Sequence, residues 1–313
     1  MAEVTTTSVT PTRRNRLGGL LANPVTLKEL RGRMRGRRAF AVLTLYLLIL
    51  SGVITLVYLV YVSSSSVPGG AGANTAGKGL FAAVLAVQVV LVTFIGPAFT
   101  AGAVSGERER QTFDLLRTTL LSADSFVIGK LISALSYILL LVLVSIPVQS
   151  IAFLLGGLSP IELILAEVLV LVAAVTYALY GLWCSAVMRS TLTATVATFG
   201  GMLLVVFGIP MAAFLALMVV GIPMGLSSFS GPLFEALLVY GGLALAATNL
   251  PATLIASEVI LLQQNTLFAY SQLISSRTLW VVSPWILFVI LHVLVAWLLY
   301  RATVRRVRRV SDV

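Results

Sequence analysis

An all-α polytopic membrane protein is the fold class that this sequence predicts, and three observations predict it. Of 313 residues, 59% are hydrophobic and only 10% are charged, where an ordinary soluble domain is about 25% charged. The apolar residues fall into six runs, each long enough to cross a hydrocarbon core of roughly 30 Å as a helix. The basic residues gather beside those runs, as they do where they set the orientation of crossing helices. Such spans form one bundle, a single transmembrane domain over 39–313, rather than several soluble domains.

The remaining composition narrows the class. A net charge of +10 points to nucleic acid in a soluble protein. Here anionic lipid and topology explain the cations better, so membrane lipids are the expected partner and nucleic acid is not. The single cysteine, Cys184, excludes an internal disulfide and a cysteine-rich metal site. No short apolar segment opens the chain, so no cleaved secretory peptide is expected.

Residues 1–22 begin Thr-rich, with Pro11 and three arginines, and read as a flexible cytoplasmic tail. Residues 23–38 read as an interfacial helix. Leu27, Leu30 and Met34 share one face; Lys28, Arg31, Arg33, Arg35, Arg37 and Arg38 surround it, suited to lipid phosphates. Asn23 is placed to cap it and Pro24 to start it. A basic flank that only fixes orientation predicts the same arginines.

The spans are expected at about 39–62, 80–104, 131–155, 161–188, 191–220 and 279–300. A Ser/Gly/Pro loop over 63–79 joins the first two. Gly96-Pro97 marks a kink in the second. Gly156 to Pro160 makes a tight turn, and Arg189-Ser190 a very short one. Gly208 and Pro210 are placed to bend the fifth span. Arg301, Arg305, Arg306, Arg308 and Arg309 follow the last. Six spans with both termini cytoplasmic put every basic cluster on one side, Lys78 and Arg277 excepted.

Residues 233–262 are apolar enough for another crossing, but a seventh span would carry the C-terminal arginines across the membrane. Asn249 and Pro251 divide the run into two pieces, each short for a crossing. A re-entrant helical hairpin on the outer side, between the fifth and sixth spans, satisfies both constraints. Two short full spans, giving eight, is the competing count.

The segment 105–130 is the one long polar-to-amphipathic stretch between apolar runs. Glu107, Arg108, Glu109 and Arg110 alternate in sign; Phe113, Leu116 and Leu120 then recur at helical spacing, with Leu115 widening the stripe. That pattern describes a short helix at the membrane surface that presents a charged end to a soluble partner. It equally describes a solvated loop joining two spans.

Other chemistry is sparse. Gly72 to Lys78 fits seven positions of a phosphate-binding loop, but Gly79 stands where Ser or Thr would hold magnesium, and no strand precedes it. The chain is therefore not expected to hydrolyse ATP or to act as an enzyme. Glu162 and Glu167 begin a fourth span longer than the core requires, which places both at the outer boundary. Glu167, Gln88 and the only histidine, His292, are candidate substrate-pathway residues. Inter-helix hydrogen bonding is the plainer role for Gln88 and Gln149, and packing for His292. Tyr270, Trp280 and Trp285 suit an interfacial belt. No spacing of His, Cys, Asp or Glu suggests a metal.

Two segments carry a family resemblance. Gly106-Glu-Arg-Glu-Arg-Gln-Thr-Phe-Asp-Leu-Leu, with Leu121-Ser122 and Gly129-Lys130, resembles the hallmark stretch of type-2 ABC transporter permeases, G-E-R-E-x-G-T-x-E-L-L, then P-L-S and a closing G-K. Asn23-Pro24-Val25 with Lys28-Glu29-Leu30-Arg31 is similar to that family's N-terminal start. Gln111 stands for the usual Gly, Asp114 for Glu and Leu120 for Pro. The resemblance implies an elbow helix over 23–38, with Lys28, Arg31, Arg35 and Arg38 among lipid headgroups. It implies a cytoplasmic coupling helix between spans two and three, and a re-entrant pair before the last span. Glu107, Arg108, Glu109, Arg110, Asp114, Leu115 and Leu116 would then couple to a separate ABC ATPase subunit. That subunit would bind ATP and magnesium, so this chain needs no cofactor of its own. A second permease copy or a related chain would complete a cell-membrane exporter, with both termini cytoplasmic. A non-transporting structural subunit explains the topology equally well, but not the coupling stretch.

Overall fold

A computed structural model of the chain describes residues 37–65, 73–111, 122–156, 158–224, 232–264, 266–274 and 277–311. Helices α1 (Arg37–Ser65) and α2 (Ala73–Ala101) come first, then the one-turn helix α3 (Ser105–Glu109). Helices α4 (Ala123–Leu154) and α5 (Pro160–Val187) follow. Helices α6 (Thr191–Leu203) and α7 (Ile209–Met224) are joined by a wide π turn over Leu204–Gly208. Two short helices, α8 (Pro232–Ala247) and α9 (Leu250–Gln264), precede an antiparallel hairpin of β1 (Ala269–Ile274) and β2 (Arg277–Val282). Helix α10 (Pro284–Ser311) ends the described chain. Among the described residues, six stretches are long and apolar enough to cross a membrane: Phe40–Ser64, Thr75–Glu109, Ala123–Leu154, Pro160–Val187, Thr191–Val219 and Pro284–Arg308. The architecture is that of a multi-pass α-helical membrane protein.

Local sequence sets the helix starts. Ser159 accepts from the Glu162 N–H while Glu162 accepts from the Ser159 N–H, with Pro160 at the first helical position. That reciprocal cap satisfies two donors the helix leaves open. Ser122 and Ser190 cap α4 and α6 through the N–H groups of Ser125 and Thr193, each at 3.2 Å.

Helices α2, α4, α5 and α10 form the centre, around Val84, Ile138, Leu141, Leu169 and Phe288. The α2–α5 crossing is close at Gly181. A Cβ there would lie 2.4 Å from Thr100 Oγ1 and 3.1 Å from the Pro97 carbonyl. Apolar association gains little between helices already in lipid, so a small residue that lets backbones approach favours packing. Helices α1, α6 and α7 keep broad apolar faces exposed, including Leu48, Leu56, Leu192, Val196 and Phe214.

Several expectations need correction. The loop expected over 63–79 is largely helix, because α1 runs to Ser65 and α2 begins at Ala73. Ala73–Lys78 is thus helix rather than a phosphate-binding loop. The last span does not start at 279: that position is in β2, and the helix begins at Pro284, a favoured first position. It continues through Arg301, Arg305, Arg306 and Arg308 instead of ending at 300. Residues 123–130 belong to the crossing helix α4, not to a surface segment. The β-hairpin was not expected. The elbow segment lies outside the described residues as far as Gly36; Arg37 and Arg38 start α1.

Helices α8 and α9 have 16 and 15 residues, about 24 and 22 Å, short of a core of roughly 30 Å. The turn between them lies deep. Asn249 is buried and its Nδ2 donates to the Val206 carbonyl at 2.7 Å, halfway along the α6–α7 run. Leu250 joins the central core with Tyr177 and Phe288. Both helices meet the hairpin: Leu243 of α8 packs with Tyr270 and Val281, and Gln264 at the end of α9 donates to the Ser271 carbonyl at 3.4 Å.

Candidate functional site

The alternating charges of Gly106 to Arg110 form a junction at the end of α2. Pro97 leaves α2 without one backbone donor, and the helix gives way one turn later to a turn over 102–104. Helix α3 then restarts the chain, and its side chains reach three other crossing helices.

Ser185 on α5 is the first tie. Its Oγ accepts the N–H groups of Val104 at 2.9 Å and Ser105 at 3.0 Å, and lies 3.1 Å from Ser105 Oγ. The hydroxyl thus satisfies two donors that the restarted helix leaves open. Arg108 is the second. Its guanidinium donates to the carbonyls of Met188 at 3.2 Å and Ala186 at 3.3 Å. These close the C-terminal end of α5, where a cation also meets the negative end of the helix dipole. Glu109 is the third. Its carboxylate accepts the Thr191 N–H at 2.7 Å and the Thr191 hydroxyl at 2.9 Å, at the N-terminus of α6, where a negative charge is favoured. Glu107 is the fourth, forming an ion pair with Lys130 on α4. Lys130 is buried, its ammonium 5.5 Å from the Phe126 ring centre.

Helix α3 therefore joins α2, α4, α5 and α6. Both carboxylates are engaged within the chain, Glu107 half-buried and Glu109 on the exposed side. Arg110 and Gln111 are exposed beyond them. Asp114, Leu115 and Leu116 lie outside the described residues, with all of 112–121. Gln111 has φ 55°, the left-handed region that glycine enters most readily. It occupies the position where the resembled motif carries glycine.

Sequence reasoning quoted Lys130 but gave it no role, and missed Ser185 and Thr191. A cation at the start of a 32-residue apolar helix was a signal, because a buried ammonium needs a counter-charge. Small hydroxyls carry no comparable sequence mark. The same end gathers the C-terminal charge: Arg308 Nη2 lies 2.6 Å from Asp124 Oδ2, and Tyr300 donates to Asp124 Oδ1 at 3.1 Å.

A second polar cluster lies inside the bundle. Gln88 Nε2 donates to Glu167 Oε1 at 3.1 Å and to Ser145 Oγ. Gln149 Nε2 donates to the same Glu167 oxygen. Glu167 is thus drawn into the bundle, whereas Glu162 caps the start of α5; the Glu167 Oε2 is enclosed without a hydrogen-bond partner. Two glutamine donors from α2 and α4 draw the carboxylate inward. His292 is elsewhere, stacked on Phe288 at 3.8 Å with Nδ1 3.1 Å from the Phe288 carbonyl. Of the three pathway candidates, Gln88 and Glu167 come together and His292 does not. Trp280 is exposed on β2, Tyr270 is buried, and the Trp285 indole donates to the Leu267 carbonyl at 2.7 Å.

Fold and junction together define a class: a helical membrane protein whose crossing helices are tied at one charged end. No protein-family model matches the chain, and no curated protein matches it.

Proposed function

We propose that the chain is the membrane-spanning subunit of an ABC transporter, moving a lipidic or amphipathic substrate with energy from a separate ATPase. One observation carries the reading: the segment that resembles the coupling stretch is fastened to four crossing helices. A push on Arg110, Gln111 and the residues that follow reaches α2, α4, α5 and α6 together. A solvated linker has no need of such ties. Packed helices rock between discrete arrangements rather than deform continuously, so a rigid node where four of them meet is a suitable place to deliver force.

Orientation follows from charge. Arg108, Arg110, Arg189, Arg305, Arg306 and Arg308 support a cytoplasmic junction by the positive-inside rule, in reach of a cytoplasmic ATPase. Helices α8 and α9 are then a re-entrant pair from the outer side. The exposed faces of α1 and of α6–α7 suit a second permease copy or a related chain. The Gln88–Gln149–Glu167 cluster is the polar part of the candidate pathway.

The test is purification from native membranes in lipid discs. Copurification of a chain with nucleotide-binding motifs, and ATP hydrolysis that Glu109→Gln uncouples from lipid transfer, supports the proposal. A pure, ATPase-free complex with undiminished cellular function leaves the structural-subunit reading instead.

A further inference from the structure

A slot between α2, α5 and α9 belongs to neither polar cluster. Its volume is about 610 Å³, within the roughly 300–1,000 Å³ of pockets that enclose small molecules. Its walls are apolar, with Phe81 and Leu85 from α2, Leu165 and Leu169 from α5, and Leu254 and Pro251 from α9. Its charged groups are Lys78, near the start of α2; Glu162, in the first turn of α5; and Glu258 on α9. Glu258 lies close enough to the other two to feel both charges. Among the described residues none of the three forms a salt bridge; the pairs found are Lys130–Glu107 and Arg308–Asp124. Ser257, beside Glu258, is 7% exposed and its hydroxyl has no hydrogen-bond partner.

The dimensions fit one hydrocarbon chain. From Lys78 to Val89, deep in the slot, α2 advances about 16 Å at 1.5 Å per residue. Half of a hydrocarbon core is roughly 15 Å. The rim is open sideways, with Val90, Ile255 and Val259 exposed. A chain can therefore enter from the bilayer without crossing water. Ala82 and Ala86, one turn apart and exposed, leave the space clear.

We propose that this slot binds one acyl chain of a lipid whose headgroup carries both a primary amine and a phosphate. Two carboxylates and one ammonium leave the mouth negative, which disfavours a purely anionic headgroup. An amine reaches Glu258 and Glu162 while the phosphate meets Lys78, each a charge-assisted contact. The slot's role as a cargo site, and its placement in the outer leaflet, rest on the permease reading; binding does not.

The experiment uses the full chain in phosphatidylglycerol discs, without an ATPase. Phosphatidylethanolamine and phosphatidylglycerol probes carry the same photoreactive tail, and labelled peptides are mapped by mass spectrometry. The amine probe should label slot peptides of α2 and α9 about tenfold more than the other, the worth of one charge-assisted contact. Both probes should label the outer face of α1 equally. Ala86→Phe, or Ala82→Phe if the first misfolds, should abolish slot labelling and leave α1 labelling unchanged. Glu258→Gln should erase the headgroup preference while tail labelling persists. Slot labelling no denser than that of α1, no headgroup preference, or indifference to both plugs overturns the proposal. So does efficient crosslinking between two copies through Ile255→Cys, because a second copy then fills the slot. If slot binding holds but no ATPase ever drives lipid transfer, the permease reading fails alone. If ATP-driven transfer survives in an unlabelled plugged variant, the slot fails alone.

Discussion

Replacing Glu107 by Gln should destabilise the protein more than replacing Lys130 by Met, although the two form one ion pair. The substitution removes a carboxylate from beside an ammonium whose side chain is 7% exposed, while Glu107 itself is 24% exposed. Removing one partner of a fully buried pair costs roughly 3–5 kcal/mol. Water at the glutamate end screens the pair, which brings the expected cost to about 2 kcal/mol. Lys130→Met instead leaves the wetter group, at about 1 kcal/mol, with the loss of the Phe126 contact included. The double variant should cost no more than Lys130→Met, a coupling of about 2 kcal/mol between the sites. At roughly 2 °C per kcal/mol for a large domain, Glu107→Gln should melt about 4 °C lower. The assay is built into the chain. Cys184 is its one cysteine, 1% exposed and next to Ser185, so a thiol-reactive fluorophore reads the opening of the junction during a thermal ramp. Equal melting temperatures for both single variants, or strictly additive losses in the double, would refute the tie between α3 and α4.

Other expectations follow from the same geometry. Ser185→Ala removes the acceptor for two N–H groups and should cost about 1–3 kcal/mol, read by the same ramp and by faster hydrogen exchange at Val104 and Ser105. Gly181→Ala should cost about 1–3 kcal/mol by overpacking, and Thr100→Ala should recover only part of it, because the Pro97 carbonyl stays close. Gln111→Gly should melt no lower than the parent, whereas Gln111→Val should melt lower, since a β-branched side chain resists positive φ. In a Cys184→Ala background, cysteines at Ser63 and Gln263 should react with an impermeant maleimide from one side and a cysteine at Arg110 from the other. Labelling of Gln263→Cys together with Arg110→Cys would rule out the re-entrant pair.

The sequence made the crossing helices legible because their signal is summed over many residues. Runs of twenty or more apolar side chains tolerate small boundary errors, so Pro160–Val187 and the break at Arg189 were read closely. Boundaries that depend on few residues were not. Ser, Gly and Pro between 63 and 79 suggested a loop, yet Ala73–Lys78 is helical, an override of weak local preference by packing. At that end a Cβ on Gly77 would lie 2.2 Å from the Gly156 carbonyl, so the helix start is held by a close backbone approach that propensity does not encode. The β-hairpin before α10 was hidden because Leu279 to Val282 runs into the apolar helix without a charge between them. At the junction, the charged residues were found and their direction was not. Alternating signs identify residues that need partners, but not which helix ends lie within reach. Gln111 illustrates the limit: its difference from glycine was visible, but its backbone conformation was not.

The π turn at Leu204–Gly208 has a consequence for the helix around it. Such a turn holds one residue more than an α-helical turn. Excising a single residue there would restore the ordinary ladder and leave the faces of α7 nearly where they are, because the wide turn already absorbs the extra residue. The Val206 carbonyl, which receives the Asn249 amide, would then be taken up by the helix. One surplus residue thus frees an acceptor halfway along a crossing helix and fastens it to the tip of its neighbour.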